Sequence, residues 1–250
     1  MSGGDRILFV GDIQGCPEEL AELLDVSGFR PGRDRLIPLG DTINRGPDSP
    51  GVLRLLEECR AEPIQGNHER AMLKIGSGAP GATGEELLAS APDWARKPGS
   101  AFEQLLKAGM WEDALEKFAR MPLVRQGEDW VAVHAGLHPV LPPEDTDPEF
   151  LTHVRWCDPQ GVMPSGISGS QLESPPGHQP WFDYYRGEKT VLFGHWARRG
   201  LTSLPRVWGL DSGCVFGRKL SGLWWPEQRL IQVQARREYY PPGGFRTAQS

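Results

Sequence analysis

The chain has 250 residues, 38% of them hydrophobic, enough to bury one sizeable core and too many for a disordered polymer. Its formal net charge of -6 opposes non-specific attraction to nucleic acid or to an anionic membrane, since both need clustered Lys and Arg, and leaves room for a local basic pocket. Four scattered cysteines (Cys16, Cys59, Cys157, Cys214) form no CxxC pair, and no apolar run is long enough for a signal peptide or a membrane span, so a reducing, cytoplasmic setting is expected.

Five short apolar runs end in a small residue followed by a metal-compatible one: ILFVGD, RLIPLGD, EPIQGNHE, WVAVHAG and TVLFGHW. Runs rich in Val, Ile, Leu and Phe, bounded by Gly, read as buried strands covered on both faces. After the first run, CPEELAELLDVSGF carries Leu20, Leu23, Leu24 and Val26 at helical spacing; after the second, SPGVLRLLEECR repeats the pattern with Val52, Leu55 and Leu56. Strand, loop, helix, strand is the implied order, an α/β arrangement in which ligands collect beyond the carboxyl ends of the strands.

Between residues 70 and 122 the pattern changes to a helical insertion: GSGAPGATG reads as flexible loop, FEQLLKAGMW as a helix with a late Gly, and ALEKFARM as strongly helical. Residues 140 to 180, rich in Pro, Gly and Ser, read as long active-site loops. From Val207 onward VWGLDSG, LSGLWW and LIQVQA predict short antiparallel strands, and PPGGFRTAQS a frayed tail. One domain over 1–240 with a flexible tail at 241–250 is expected.

Asp12, Asp41, Asn67, His134 and His195 supply the carboxylate, amide and imidazole mixture that suits two divalent ions, Mn²⁺ first, with Fe, Co or Zn as alternatives. Asp41 is the candidate bridging ligand. Gln14 lies two residues beyond Asp12, so a persisting extended chain would project both side chains to one side. Two metals about 3.5–4 Å apart share one hydroxide and clamp an in-line displacement at phosphorus. His68, beside Asn67, is placed to protonate the leaving oxygen, and Arg45 offers a planar fork for phosphate.

The strings GDIQG, GDTINRGPDS, GNHE, VHAG and GHW, in this order over residues 11 to 196, resemble the calcineurin-like metallophosphoesterases, specifically the phosphoprotein-phosphatase superfamily. The resemblance implies two mixed β-sheets packed face to face and flanked by helices. It further implies Asp12 and Asp41 on one metal, and Asp41, Asn67, His134 and His195 on the other. His68 is the implied acid and Arg45 the implied phosphate contact. Two positions depart from the usual pattern: Gln14 stands where His is common, and Asn44 where the protein phosphatases carry an Asp that raises the basicity of the catalytic His.

NRGPDS followed by VLR, with GDIQGC and FGHWA, looks most like bacterial symmetrical diadenosine tetraphosphatases, which often accept Gln and Asn at these two positions; GNHE, however, is the protein-phosphatase form. The substrate expected on this resemblance is a dinucleoside polyphosphate, cleaved to two ADP. Arg155, Arg186, Arg198 and Arg199 are candidates to neutralise its phosphates, and Trp156, Trp181 or Trp196 to stack on a base. A phosphoprotein is the alternative substrate, since Trp156-Cys157-Asp158-Pro159 resembles the W-S-D-P string of eukaryotic protein phosphatases. A third reading is a degenerate relative that binds nucleotides or a partner without turnover.

Overall fold

The computed structural model of the chain describes residues 6–78, 84–166 and 173–241. Strand β1 (Ile7–Val10) leads into α1 (Pro17–Ser27), and β2 (Arg35–Pro38) into α2 (Ser49–Glu58). Four helices then follow: α3 (Asn67–Gly78), α4 (Gly84–Ser90), α5 (Ala101–Lys107) and α6 (Trp111–Arg120). The chain continues through β3 (Val124–Gln126), β4 (Trp130–Val133), α7 (Pro148–His153), β5 (Trp156–Cys157), β6 (Gln179–Pro180) and β7 (Thr190–Phe193). It closes with β8 (Thr202–Leu204), β9 (Val207–Gly209), β10 (Lys219–Trp225) and β11 (Arg229–Gln234). No helix among the described residues is long and apolar enough to cross a membrane.

Two mixed sheets form, in the orders β11-β10-β1-β2 and β3-β4-β7-β9-β8. In the first, β1 runs parallel to β2 and antiparallel to β10; in the second, β4, β7 and β9 are parallel, with antiparallel β3 and β8 at the edges. Strand alternation explains why the apolar runs are unbroken. Ile7 and Phe9 face the interior shared by the sheets, together with Trp130, Ala132 and Leu192, whereas Leu8 and Val10 face Leu20, Leu23 and Val52 of α1 and α2. On the far side, Val131, Val133, Val191 and Phe193 pack against Phe150, Trp181 and Phe182. Phe9 and Trp130 meet edge to face at 5.0 Å across the sandwich.

The helices α1 and α2 lie where the periodicity predicts them. Pro17 starts α1, where its missing N–H costs nothing, and Gly28 at φ 72° stops it. The Asp48 carboxylate caps α2 by accepting from Gly51 N at 2.8 Å.

Three expectations are corrected. The run EPIQ before Asn67 is not a strand: Glu62 N and Ile64 N bond to Leu36 O and Pro38 O (2.8 and 3.1 Å) beside β2, and Pro63 between them has no N–H to offer on the opposite edge. The stretch 140–180 is not all loop, since α7, β5 and β6 lie inside it, with Asp147 capping α7 and residues 167–172 outside the described part. β9 pairs antiparallel only with β8, while its other edge lies parallel to β7. Of the loop GSGAPGATG, the first three residues end α3, and residues 79–83 lie outside the described part, as do residues 242–250 of the expected tail.

Candidate metal and catalytic site

The carboxyl ends of β1, β2, β4 and β7 converge on one edge of the sandwich, and the turns that follow deliver Asp12, Asp41, His134 and His195 there; Asn67 arrives at the start of α3. Ligand atoms of Asp41, His134 and His195 all lie within 4.8 Å of one another. The Asn67 amide oxygen stands 3.0 Å from His134 Nε2 and 2.9 Å from His195 Nδ1. The other nitrogen of each ring is committed to the backbone: His134 Nδ1 donates to Leu39 O (2.7 Å) and His195 Nε2 to His153 O (3.1 Å). This is how a metal-binding histidine is held, one nitrogen fixed by a carbonyl and the other left to offer its lone pair to a cation in place of a proton.

The turns are strained where the side chains matter. Among the described residues, eight non-glycine residues have positive φ, and five of them, Gln14, Asp41, Asn44, Arg45 and His195, belong to this site. Glycines before the functional residues give room: a Cβ on Gly194 would collide with Asp12 Oδ1, and one on Gly66 with the backbone and carboxylate of Asp41. The Asp12 carboxylate accepts from His195 N and that of Asp41 from His68 N, each at 2.9 Å, so the acidic side chains are aimed by the loops they join.

Gln14 is buried and its N–H bonds to Asp41 O (2.9 Å), but at φ 47° the chain has already turned. The extended conformation assumed for Asp12 and Gln14 is therefore not kept, and strand alternation does not put their side chains together.

The donor set fits a divalent cation. Asp12, Asp41 and Asp211 are 4%, 2% and 4% exposed, and none is ion-paired with a Lys or Arg among the described residues. Burial, with Asp211 beside it, raises Asp12 well above the usual carboxylate range, and burial lifts Asp211 to about 6. Burial opposes the charge of Asp41 too, yet His134 and His68 hold it well below that range; in the same way burial opposes protonation of His134, but Asp41 pushes it up to about 10. Carboxylate, amide and imidazole donors gathered in an anionic pocket leave positive charge as the missing partner.

His68 is 8% exposed, and burial lowers it to about 4. Its Nδ1 lies 2.8 Å from Asn44 Nδ2, while the Asn44 oxygen accepts from Arg45 N (3.0 Å) and Ala101 N (3.3 Å). With the oxygen so occupied, the Asn44 amide is the donor and His68 carries its proton on Nε2. That Nε2 is buried without a hydrogen-bond partner, 3.6 Å from Asp41 Oδ2.

Of the residues expected at the substrate, Arg155 reaches the site, its Nη2 donating to His195 O at 3.4 Å. Arg186 instead bonds to Asp183 O and Tyr185 O of its own loop (2.8 and 2.9 Å). Trp181 is fully buried, edge-on to Phe182 and Phe193, and Trp156 and Trp196 pack edge to face at 4.8 Å, 3% exposed each. No ring face of these three is open to a base, because each fills the core under the second sheet. Arg199 lies over Phe182 and Trp196 at 4.8 and 5.2 Å.

Two buried acids at the site escaped the sequence reading. Asp211 ends WGLD, a sixth apolar run closed by an acid, a signal of the same kind as the other five. Glu69, 0% exposed, accepts from Asp41 N (3.0 Å), Thr42 N and Oγ1 (2.8 Å each) and Gly66 N (2.9 Å), clamping the second and third motif loops together. Its sign was the Glu of GNHE, which carries structure rather than substrate.

Two packed mixed sheets with this polar edge define a metallophosphoesterase. The chain belongs to the calcineurin-like phosphoesterase family, whose sequence pattern matches residues 5–199. It is similar to the symmetrical bis(5'-nucleosyl)-tetraphosphatase of Aromatoleum aromaticum (strain DSM 19018 / LMG 30748 / EbN1), 31% identical over 93% of this chain and 98% of the other. The enzyme of the same name from Acidovorax sp. (strain JS42) is 32% identical over 92% and 94%. A solved structure described as a "putative diadenosine tetraphosphatase" is 31% identical with TM-score 0.73, covering 94% of this chain and 95% of that one. The chain is thus a hydrolase of phosphoric ester or anhydride bonds, in a family that uses divalent metals.

Proposed function

We propose that the protein hydrolyses dinucleoside polyphosphates symmetrically, converting diadenosine tetraphosphate and water to two molecules of ADP. The observation that carries the reading is the hydrogen bond from Asn44 to His68 Nδ1, 2.8 Å, with the amide oxygen already occupied. An amide at this place donates to the ring, so it does not support an imidazolium as an Asp would. A nucleoside diphosphate leaves as a stabilised, weakly basic anion and needs only a hydrogen bond, whereas the alkoxide of serine or threonine needs a proton. The site therefore suits an anhydride better than a phosphoprotein, and the relatives described above carry names that agree with the anhydride.

Asp12, Gln14, Asp41, Asn67, His134 and His195 would hold two divalent ions in this reading, Mn²⁺ being the first choice. When bound, such ions polarise phosphoryl oxygens and acidify a water. Arg45 places its guanidinium on the phosphate under attack, and Arg155, beside His195, neutralises a second phosphate oxygen. The unpartnered His68 Nε2–H donates to the bridging oxygen as the bond from phosphorus to that oxygen breaks. Asn44 holds the ring in the tautomer this requires.

The test is anion-exchange analysis of products from purified protein, Mn²⁺ and diadenosine tetraphosphate, with a phosphopeptide in parallel. ADP as the sole product is expected. AMP with ATP would overturn symmetrical cleavage, and phosphopeptide turnover with the dinucleotide untouched would move the substrate to phosphoproteins.

A further inference from the structure

Beside His68 lies a cavity of about 660 Å³, within the range of about 300–1,000 Å³ common for small-molecule sites. One wall comes from the stretch between α4 and α5, which presents Trp94 and Lys97; the other comes from the residues after β11, which present Arg237, Glu238 and Tyr240; Arg45 lies at the floor with His68. Neither wall belongs to the motif loops. Trp94 is 38% exposed, in contrast to the buried Trp156, Trp181 and Trp196.

Both walls are anchored by the fold, one to the Arg45 loop and the other to Val215 and α1, so the cavity is built before any ligand arrives. On the α5 side, Gln104 Nε2 donates to Gly46 O (3.0 Å) and Ser49 N donates to Gln104 Oε1 (2.7 Å). On the carboxyl-terminal side, Tyr239 N and Tyr240 N both bond to Val215 O (3.0 Å each). Buried Glu19 of α1 accepts from Arg236 N (3.0 Å) and from the Tyr239 hydroxyl (2.7 Å). The Arg45 guanidinium lies over both the Phe216 and Tyr240 rings, 5.6 and 5.7 Å from their centres, which orients its fork and occupies one face of Tyr240; the two rings meet edge to face at 6.4 Å. Lys97 and Arg237 are not ion-paired among the described residues.

We propose that this cavity is the subsite for the departing nucleoside diphosphate. The assignment of the departing half rests on the reading above, because His68, the donor to the leaving oxygen, is among the residues that line the cavity. Lys97 and Arg237 line the part that takes the departing diphosphate, with Arg45 at its junction with the phosphate under attack, and Trp94 offers the open ring face on which its base stacks. Glu238 supplies an acceptor for the ribose hydroxyls. Stacking on Trp94 reads no base edge, so purine diphosphates other than ADP bind comparably.

The test is equilibrium dialysis of labelled ADP against the full-length, Mn²⁺-loaded protein and its variants. Trp94→Ala and the double variant Lys97→Met/Arg237→Met are expected to raise the Kd for ADP at least tenfold. Trp94→Phe, which keeps a ring face, should stay within threefold of the parent, and the exposed Arg120→Met serves as the control. Turnover of diadenosine tetraphosphate is measured in the same preparations. Unchanged ADP affinity in both Trp94→Ala and the double variant overturns the subsite, with the reaction reading intact if the parent forms ADP. A parent that binds ADP through these residues but leaves the dinucleotide uncut supports the subsite as a nucleoside-diphosphate site and removes the reaction reading.

Discussion

Asn44 Nδ2 stands 2.8 Å from His68 Nδ1, and the Asn44 oxygen is bound by the N–H groups of Arg45 and Ala101. A single side chain thus ties the Arg45 loop, α5 and the His68 ring together, and it decides which ring nitrogen carries the proton. An Asp in its place would accept from Nδ1–H and stabilise an imidazolium.

Asn44→Asp is therefore expected to shift the ratio of kcat/KM for an alkyl phosphate over the dinucleotide upward by about tenfold, since only the alkoxide needs full protonation. His68→Asn should lower kcat on the dinucleotide at the lower end of the range of about 10²–10⁴ seen for such groups, with metal content unchanged. Parallel kinetics with elemental analysis checks both, and an unshifted ratio in Asn44→Asp would separate Asn44 from the leaving-group chemistry.

Asp41→Asn should lose metal together with rate. Its Oδ1 lies 3.4 Å from His134 Nε2 and accepts from His68 N at 2.9 Å, so the carboxylate faces the convergence of donors. Removing its charge also removes the cause of the high His134 pKa, and the variant should bind well below the metal content of the parent in plasma emission analysis. Full double occupancy would argue against a shared Asp41.

Glu69→Gln tests a structural clamp. The buried carboxylate accepts four hydrogen bonds from Asp41, Thr42 and Gly66, and an amide in its place can accept at only one of its two atoms. A loss on the order of 3 kcal/mol is expected, read as a lower denaturation midpoint in chemical unfolding. A stability within about 0.5 kcal/mol of the parent would contradict the clamp.

A pH-dependent contribution is expected from Arg35 and Glu62, paired through two hydrogen bonds of 2.8 Å each. The bonds from Arg35 hold the Glu62 carboxyl below its usual 4.5. A depressed folded-state value stabilises the fold above the unfolded value, and this gain is lost as pH falls through the folded one. Both side chains are about one-third exposed, so solvent screening limits the effect to about 1 kcal/mol at most. The stability gap between the parent and Glu62→Gln should be constant above about pH 5 and close on acidification. A gap that widens in acid would reverse the sign of the pairing.

The amino-acid sequence by itself determined the strands of both sheets that carry Asp12, Asp41, His134 and His195. Apolar runs ending in Gly and then a metal-compatible residue state both the burial of the strand and the place where a polar group can emerge. The helices α1 and α2 were legible for the same reason, since period and end signals are local.

Tertiary structure alone decided what surrounds the metal-compatible residues. Trp181, Trp156 and Trp196 looked available for stacking beside motif loops, but the second sheet draws all three into its core, because large apolar area gains most from burial. Trp94, Lys97, Arg237 and Tyr240 sit far from any motif and come together only when the helical insertion and the chain after β11 close on the Arg45 loop. Periodicity reports which face of an element is buried, and it is silent on which distant segments will share a cavity; that choice is made by packing between elements remote in the chain.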